Sequence, residues 1–371
     1  MTIAGGSPPD QPSAGWPALQ QQLKGARSDQ HLLLSPSELC IGACHATEQW
    51  TSQAQPGSLN PPFAALIVSD DTHRNAEVLK SLYAAISTQD KTAAAELLSA
   101  DLILHVPGRG LLAGDYWGHQ GFETYLSKLL EHAGGSLRVD VPVLSVNGQD
   151  AFAREVVTAR RRRDPEREWQ FPVSVHYKLK AGKVSEMWVL PDDQRLYDQY
   201  WTPSSEDIAA SGSGSAVARV QSAQLPSTEE IASPQNLTLI TNLYERFFRG
   251  DMELIQNAIA EDVIVNIVGR SALSGEYHGW DGFMAFRGRL MSMVYKRYKL
   301  EVTAFAASRN DAWAREYIRM DRPWDPNLCD IEVVMHFEIK DGKVKRIDDF
   351  PVDTFAWERF YCPPGFEPPG L

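Results

Sequence analysis

The chain has 371 residues, of which 43% are hydrophobic, and its 36 Lys and Arg against 48 Asp and Glu give a net charge of -12. This composition predicts a folded protein of two or three domains and excludes a broad cationic surface for nucleic acid or anionic membranes. Four cysteines make no disulfide framework. Neither a secretory signal nor an apolar run of about 20 residues is visible, so we expect a cytoplasmic protein.

Residues 1–71 are expected to form an amino-terminal extension, partly disordered, because they have no counterpart in the rest of the chain. The segment Ser35-Pro-Ser-Glu-Leu-Cys is typical of a helix N-terminus and predicts one short helix, which ends near Trp50. Cys40 and Cys44 fit one face of this helix and have the wrong spacing for a haem attachment motif. Nothing in the extension predicts a metal site.

Two copies of one module make up most of the remaining sequence. The dipeptide Gly108-Arg109 recurs as Gly269-Arg270, and many other residues recur at the same offset. Between the copies lies a stretch rich in Ser, Ala and Gly, which is typical of a flexible linker. The predicted segments are a first domain at 72–203, a linker at 204–233, a second domain at 234–363 and a tail at 364–371.

Each module has the same predicted elements: two helices, a strand, a third helix and four strands. Asp90 and Asp251 are placed as N-caps of the second helix in each copy. Turn signals separate the final strands, as consecutive antiparallel hairpins require, so each module is α+β, with three helices on a curved antiparallel sheet. Helices are expected at 72–88, 91–99, 119–132, 235–249, 252–260 and 280–294, and strands at 101–107, 137–147, 150–161, 169–180, 183–190, 262–268, 298–308, 311–321, 329–340 and 343–350.

The repeated pattern resembles a known family. It comprises Leu-Tyr in the first helix, Gly-x-x-Gly-Phe opening the third helix, and His-Phe/Tyr-x-Leu/Ile-x-x-Gly-Lys-Val in the last hairpin. In these features each copy resembles the SnoaL-like polyketide cyclases and the ketosteroid isomerases of the nuclear transport factor 2-like fold. The resemblance implies two tandem cone-shaped barrels with apolar pockets, and it is compatible with cyclases, isomerases and other enzymes of secondary metabolism, or with non-catalytic binders.

The resemblance also excludes the isomerase mechanism of that family. Its general-base aspartate falls on Val106 and Ile267, and its neutral aspartic acid falls on Val175 and Met335. No apolar side chain can perform these roles, so ketosteroid-isomerase chemistry by that mechanism is not expected.

The family's cyclases imply a different site, with an acidic residue on the last strand facing the pocket. That position is Val189 in the first copy and Asp349 in the second. Strand alternation then predicts which side chains share the pocket with Asp349. The predicted catalytic residues are Asp349, Arg315, Tyr317 and His278, and the predicted substrate-binding residues are Trp313, Arg319, Ile267, Met335, Ile347 and, in the first copy, Arg154.

Each of these assignments has a structural alternative. Asp349 could instead pair with Asp348 at a solvated strand end, and Arg315 could form a structural ion pair. If Arg315 or Arg319 lies within reach, Asp349 stays ionised and acts as a base, whereas a proton-donor role needs the arginines to lie elsewhere. Tyr317 could be a core residue, and His278 could lie on the rim of the pocket. The histidines His176 and His336 fall on the opposite strand face and are interpreted as interface residues.

The function predicted from this pattern is that of a small-molecule cyclase or isomerase. It would transfer protons without a cofactor or metal, on an apolar, carbonyl-bearing metabolite in the pocket of the second domain. The alternative is a non-catalytic ligand-binding or scaffold protein. In either case the two repeats are expected to pack against each other as an intramolecular pseudo-dimer that binds a small apolar molecule.

Overall fold

The computed structural model describes residues 70–133, 136–161, 164–202, 221–222, 225–227 and 230–367. The expected amino-terminal helix and about two thirds of the expected linker lie outside these residues. All of the described residues belong to one compact unit of the chain, Ala54–Leu371. Among them, no helix is both long and apolar enough to cross a membrane.

In the part of the chain that the structure describes, the first module has four helices and seven strands. The helices are α1 Asp70–Thr88, α2 Lys91–Leu97, α3 Gly118–His132 and α4 Gln194–Trp201. The strands are β1 Leu98–Val106, β2 Gly114–Trp117, β3 Arg138–Asn147, β4 Asp150–Arg161, β5 Asp164–Lys180, β6 Lys183–Pro191 and β7 Gln221–Ser222. They form one sheet in the order β2-β1-β6-β5-β4-β3-β7.

The second module repeats this plan with four helices and six strands. The helices are α5 Pro234–Arg249, α6 Met252–Ala258, α7 Gly279–Ser292 and α8 Thr354–Phe360. The strands are β8 Ile259–Ile267, β9 Gly275–His278, β10 Tyr298–Ala307, β11 Asp311–Arg322, β12 Asp325–Lys340 and β13 Lys343–Pro351. Their order in the sheet is β10-β11-β12-β13-β8-β9.

The predicted fold class of two tandem α+β cones is confirmed, with two corrections. The sheets are mixed and not wholly antiparallel, because β1 runs parallel to β6 and β8 runs parallel to β13. Each module also has two unpredicted elements, a short strand before its third helix, β2 or β9, and a helix after its last strand, α4 or α8. Asp193 and Asp353 cap these helices by accepting hydrogen bonds from backbone N–H groups in their first turns.

Local chemistry explains why several helices begin and end where they do. The side chain of Asp90 accepts a hydrogen bond from the backbone N–H of Ala93 and caps α2, as predicted. Ser233 caps α5 in the same way, and Gly250 ends that helix with φ of 76°, in the left-handed region that glycine tolerates. These caps fix the approach of the helices to the concave face of each sheet.

The two faces of each sheet are buried for different reasons. One face packs against the helices of its own module and forms that module's core. The opposite faces meet in a third apolar cluster, which contains residues of both modules, among them Phe152, Trp188, Trp313 and Phe350. Strands such as β4 and β11 are therefore buried on both sides.

A stack of aromatic rings runs through this third cluster. Phe152 of β4 lies parallel to Trp313 of β11, with 5.6 Å between the ring centroids. On the far side of Phe152 lie the rings of His176 and Trp188, and on the far side of Trp313 lies His336. The modules thus contact each other through stacked rings as well as aliphatic surface, and both histidines lie at the contact.

Candidate functional site

The structure reverses the predicted face of the middle strand in the second module. On β11, Ala314, Glu316 and Ile318 face the module's own interior, whereas Trp313 belongs to the cluster between the modules. The prediction that Trp313, Arg315, Tyr317 and Arg319 point into the pocket was therefore wrong by one position. Because side chains alternate along a strand, a one-residue error in phase exchanges the two faces completely.

Arg315 lies in the contact between the modules. Its Nε donates to Glu332 at 3.0 Å, and its Nη1 donates to Nδ1 of His176 in the other module at 2.9 Å. The guanidinium carbon also lies 3.8 Å from the centroid of the Trp188 ring. Arg315 thus forms the structural ion pair that was the alternative to a role in the pocket.

The other polar residues predicted for this pocket also lie outside it. Arg319 pairs with Asp330 at 2.6 Å on the exposed part of the sheet, and Tyr317 lies beside the same carboxylate, which raises the pKa of its hydroxyl. His278 is an exposed residue 3.7 Å from Glu276, which agrees with a rim position. In the first module, Arg154 forms an ion pair with Asp192 and lies over Phe350 of the second module, so it does not enter its own pocket.

Asp349 does face the interior of the second module. On the sheet it lies opposite Met335 of β12 and Ile267 of β8, and only 4% of its surface is exposed. Its Oδ1 is buried without a hydrogen-bond partner. Burial raises its pKa well above the ordinary value, and the negative charge of Glu316 raises it further. Burial therefore favours the neutral form of this carboxyl.

Glu316 is the second carboxyl of this interior, and the sequence analysis did not select it. Burial raises its pKa to about 7, although a hydrogen bond from the Tyr244 hydroxyl opposes the shift. The hydroxyl of Tyr298 is also buried, and its pKa is raised by burial and by the charges of Glu316 and Asp349. Two acids and two tyrosines therefore share one apolar interior, in electrostatic contact with one another.

The first module has a related cluster with one acid. Glu155 accepts hydrogen bonds from the hydroxyls of Tyr83 at 2.5 Å and Tyr177 at 3.2 Å. Burial raises the pKa of Glu155, and the two hydroxyls oppose that shift. The cluster borders a cavity of about 180 Å³ whose other walls are mostly apolar, including Leu126 and Val189. The sequence-based view of this pocket as apolar except for Arg154 was therefore wrong.

A signal for both glutamates was present in the sequence. The tripeptide Ala-Arg-Glu occurs at the same place in both modules, so the repeat marks the glutamate as a candidate site residue as strongly as the arginine. The apolar residues Ala314, Ile318 and Met320 share a face with Glu316, and this more apolar face is the one expected to line a pocket. Applying that criterion would have selected the glutamate instead of the arginine.

The arrangement of the second module supports acid–base chemistry. Among the described residues, no group of three or more His, Cys, Asp or Glu side chains could hold a metal ion. The pKa of Glu316 is raised to about 7 and that of Asp349 well above its ordinary value, so both carboxyls favour their neutral forms more than exposed carboxyls do. Such a pair can offer a proton and accept one in the same apolar space.

Comparison with known proteins identifies the repeated module. Residues 79–187 and 240–347 both match the model of the SnoaL-like domain, and together they make up more than half of the chain. The chain belongs to the SnoaL-like family. The resemblance inferred from the repeated motifs is thereby confirmed for both SnoaL-like domains, and none of the curated proteins matches the sequence.

Several solved structures resemble a single SnoaL-like domain of this chain. A protein from a soil-derived mobile gene cassette is 21% identical, with 36% of this chain and 99% of that chain covered and a TM-score of 0.34. A putative SnoaL-like polyketide cyclase from Jannaschia sp. CCS1 is 16% identical, with 38% and 99% covered and a TM-score of 0.30. TerC, co-crystallised with polyporic acid, is 19% identical, with 34% and 98% covered and a TM-score of 0.31. These likenesses carry no information about the substrate of this chain.

Proposed function

We propose that the second SnoaL-like domain catalyses a cofactor-independent proton transfer on an apolar, carbonyl-bearing metabolite, as in a cyclisation or an isomerisation. The observation that supports this proposal is the buried pair of Asp349 and Glu316. A buried acid with an unpartnered oxygen lowers the stability of the fold, so its presence calls for an explanation. Carboxyls with perturbed pKa values concentrate at catalytic sites.

The roles of the two acids follow from their protonation states. Glu316, ionised in part near pH 7, removes a proton from the carbon beside the substrate carbonyl. Asp349, in the neutral form that burial favours, donates a hydrogen bond to the carbonyl oxygen and stabilises the negative charge that develops there. Tyr244 holds Glu316 in place through its hydroxyl. With the arginines elsewhere, Asp349 is thus the proton donor and not the base.

The ring opening of 5-nitrobenzisoxazole tests this proposal without knowledge of the natural substrate. A base removes the proton from the C3 carbon, the N–O bond breaks, and a coloured cyanophenolate forms. We expect the full chain to accelerate this reaction, with a rate that rises as Glu316 loses its proton near pH 7.

Matched variants assign the effect to the second domain. Glu316→Gln should lower the rate by about 10²–10⁴-fold, as removal of a general base does. Glu338→Gln, the same change at an exposed position on β12, should leave the rate unchanged, and Glu155→Gln measures any contribution of the first domain. A wild-type rate no higher than that of Glu316→Gln would reject Glu316 as the base.

A second candidate function is ligand binding by the first domain within a fused pseudo-dimer. The cavity of about 180 Å³ favours it, because the acid that borders this cavity already has two hydroxyl partners and so has a structural explanation. We expect phenol to raise the melting temperature of the chain, and Leu126→Trp, which fills the cavity, to abolish that effect. Equal stabilisation of the wild type and the variant by phenol would place binding elsewhere.

A further inference from the structure

A single arginine of the second domain points toward the proposed site from the helical side. Arg287 lies on α7, on the helix face that also carries Phe283, Met284 and Leu290, and these three residues pack against the domain core. Its guanidinium carbon lies 5.7 Å from the centroid of the Phe247 ring on α5. The side chain thus lies between two helices and not in solvent.

One atom of Arg287 lacks a hydrogen-bond partner. Its Nε is buried and meets no acceptor. Arg161, Arg195 and Arg322 also have a buried Nε without an acceptor, but their terminal nitrogens donate to carbonyl or carboxylate oxygens. No hydrogen bond joins Arg287 to another of the described residues. A buried charged donor without an acceptor is rare in folded proteins, since such groups are nearly always paired. The missing acceptor implies that a ligand supplies one when it binds.

Comparison of the two domains shows where this acceptor would lie. At the place of Arg287, the first domain has Leu126, which lines its cavity. Leu137, another wall residue of that cavity, is replaced by Tyr298 in the second domain. The positive charge of Arg287 opposes the rise in the pKa of Tyr298, so the two side chains lie close enough to interact. Arg287 therefore occupies a wall position of the same interior as Glu316 and Asp349.

We infer that Arg287 anchors the carboxylate of an apolar organic acid in the second domain. The inference rests on the proposed function for the reacting groups, and it adds the substrate class, an oxo acid. A guanidinium presents parallel donors that match a carboxylate, which a neutral carbonyl compound would not require. Anchored at this wall, the acid has its apolar body between the helices and the sheet, and its carbon–hydrogen bond toward Glu316.

The experiment observes the Arg287 side chain directly. In full-length chain labelled with ¹⁵N-arginine, the Nε–H signal that disappears in Arg287→Leu belongs to this residue. Benzoate, cinnamate and phenylpyruvate are then titrated in, with benzamide and cinnamamide as neutral counterparts. We expect at least one acid to shift this signal and raise the melting temperature, while its amide does neither.

Two further variants complete the test. Arg287→Leu, which installs the residue of the first domain, should weaken binding of that acid by at least about tenfold, because a charge-assisted hydrogen bond contributes about that much affinity. Arg287→Lys keeps the positive charge but loses the two parallel N–H donors of the guanidinium, so it should bind the acid with intermediate affinity. This variant also keeps the test valid if Arg287→Leu misfolds. Arg289→Leu, on the exposed side of the same helix, should bind as the wild type does.

The outcomes separate this inference from the proposed function. Absence of a shift with all three acids, or equal affinity in the wild type and Arg287→Leu, would overturn the anchor. Glu316→Gln should retain acid binding while losing the 5-nitrobenzisoxazole reaction. If acid binding depends on Arg287 but Glu316→Gln reacts normally, the anion site stands and the catalytic role of Glu316 fails.

Discussion

Replacement of Glu316 by Gln should alter the pH dependence of stability in a direction that the structure fixes. The pKa of Glu316 is raised from 4.5 to about 7 by burial, so the folded chain holds this proton more tightly than the unfolded chain does. Between about pH 4.5 and 7 the folded state therefore binds more protons, and the free energy of unfolding falls as the pH rises. It levels off above pH 7.

The size of the effect follows from the same shift. At about 1.4 kcal/mol per pH unit, burial of the ionised carboxyl lowers the stability of the wild type by about 3 kcal/mol above pH 7. Gln carries no charge and still accepts a hydrogen bond from Tyr244, and the pKa of about 7 already includes the stabilisation of the ionised carboxyl by that bond. We therefore expect Glu316→Gln to be more stable than the wild type by about 3 kcal/mol at pH 8. Below pH 4.5 the two should be nearly equal.

Asp349 contributes a pH dependence of stability with the same sign, because its pKa is also raised in the folded chain. The charge of Glu316 contributes to its raised pKa, so removing that charge lowers the pKa of Asp349 while burial continues to raise it. The pair titrates as a coupled unit, and the variant should therefore retain a weaker pH dependence that belongs to Asp349 alone. Glu316→Gln with Asp349→Asn should remove the remainder of this dependence.

Urea unfolding at a series of pH values measures these differences. Hydrogen exchange of the β11 amides, recorded in parallel, reports the stability of the second domain when the two domains unfold separately. Glu338→Gln controls for the loss of one negative charge at an exposed position. A Glu316→Gln chain that is less stable than the wild type at pH 8, or that keeps the full wild-type slope, would refute the assignment of a buried proton to Glu316.

Two further predictions concern the packing of the fold. Trp313→Ala, which removes a fully buried ring from the stack between the domains, should lower the free energy of unfolding by about 3–5 kcal/mol in urea titrations. Gly288→Ala, in the middle of α7 with open space at the position of the new methyl group, should stabilise the chain by about 0.5–1 kcal/mol. Gly250→Ala, where φ is 76°, should instead destabilise it by a comparable amount, and thermal unfolding of the two glycine variants side by side distinguishes these cases.

The architecture could be predicted from the sequence because its signals are local and occur twice. Turn residues, helix caps such as Asp90 and the repeated Gly-x-x-Gly-Phe each fix one short segment, and agreement between two copies excludes chance. The parallel pairing of β1 with β6 could not be predicted in this way, because it joins segments that are far apart in the chain. The helices α4 and α8 were also missed, although Asp193 and Asp353 provide ordinary N-cap signals.

The site was harder to predict because the strands that carry it are buried on both faces. Trp313 and Ala314 are equally buried, one against the other domain and one against the helices, so burial alone does not tell which face lines the pocket. Asp349 was selected correctly as an inward residue only because the family resemblance fixed the phase of β13. Arg287 has the sequence context of an ordinary surface arginine, and only the structure distinguishes it from the exposed Arg289, by its half-buried position over Phe247 and its unpaired Nε.

Divergence of the two domains within one chain explains why the polar groups differ between them. When one sequence forms both halves of a pair, every substitution appears twice, whereas a fused pair can change one copy alone. In the first domain, Glu155 is held by two tyrosine hydroxyls. In the second, Phe337 takes the place of Tyr177, so that Glu316 loses one donor, and Asp349 takes the place of Val189. A buried acid without its donors destabilises a fold by about 1–3 kcal/mol. The tandem chain confines this loss to one domain, while the interface with its better-satisfied neighbour stabilises the whole.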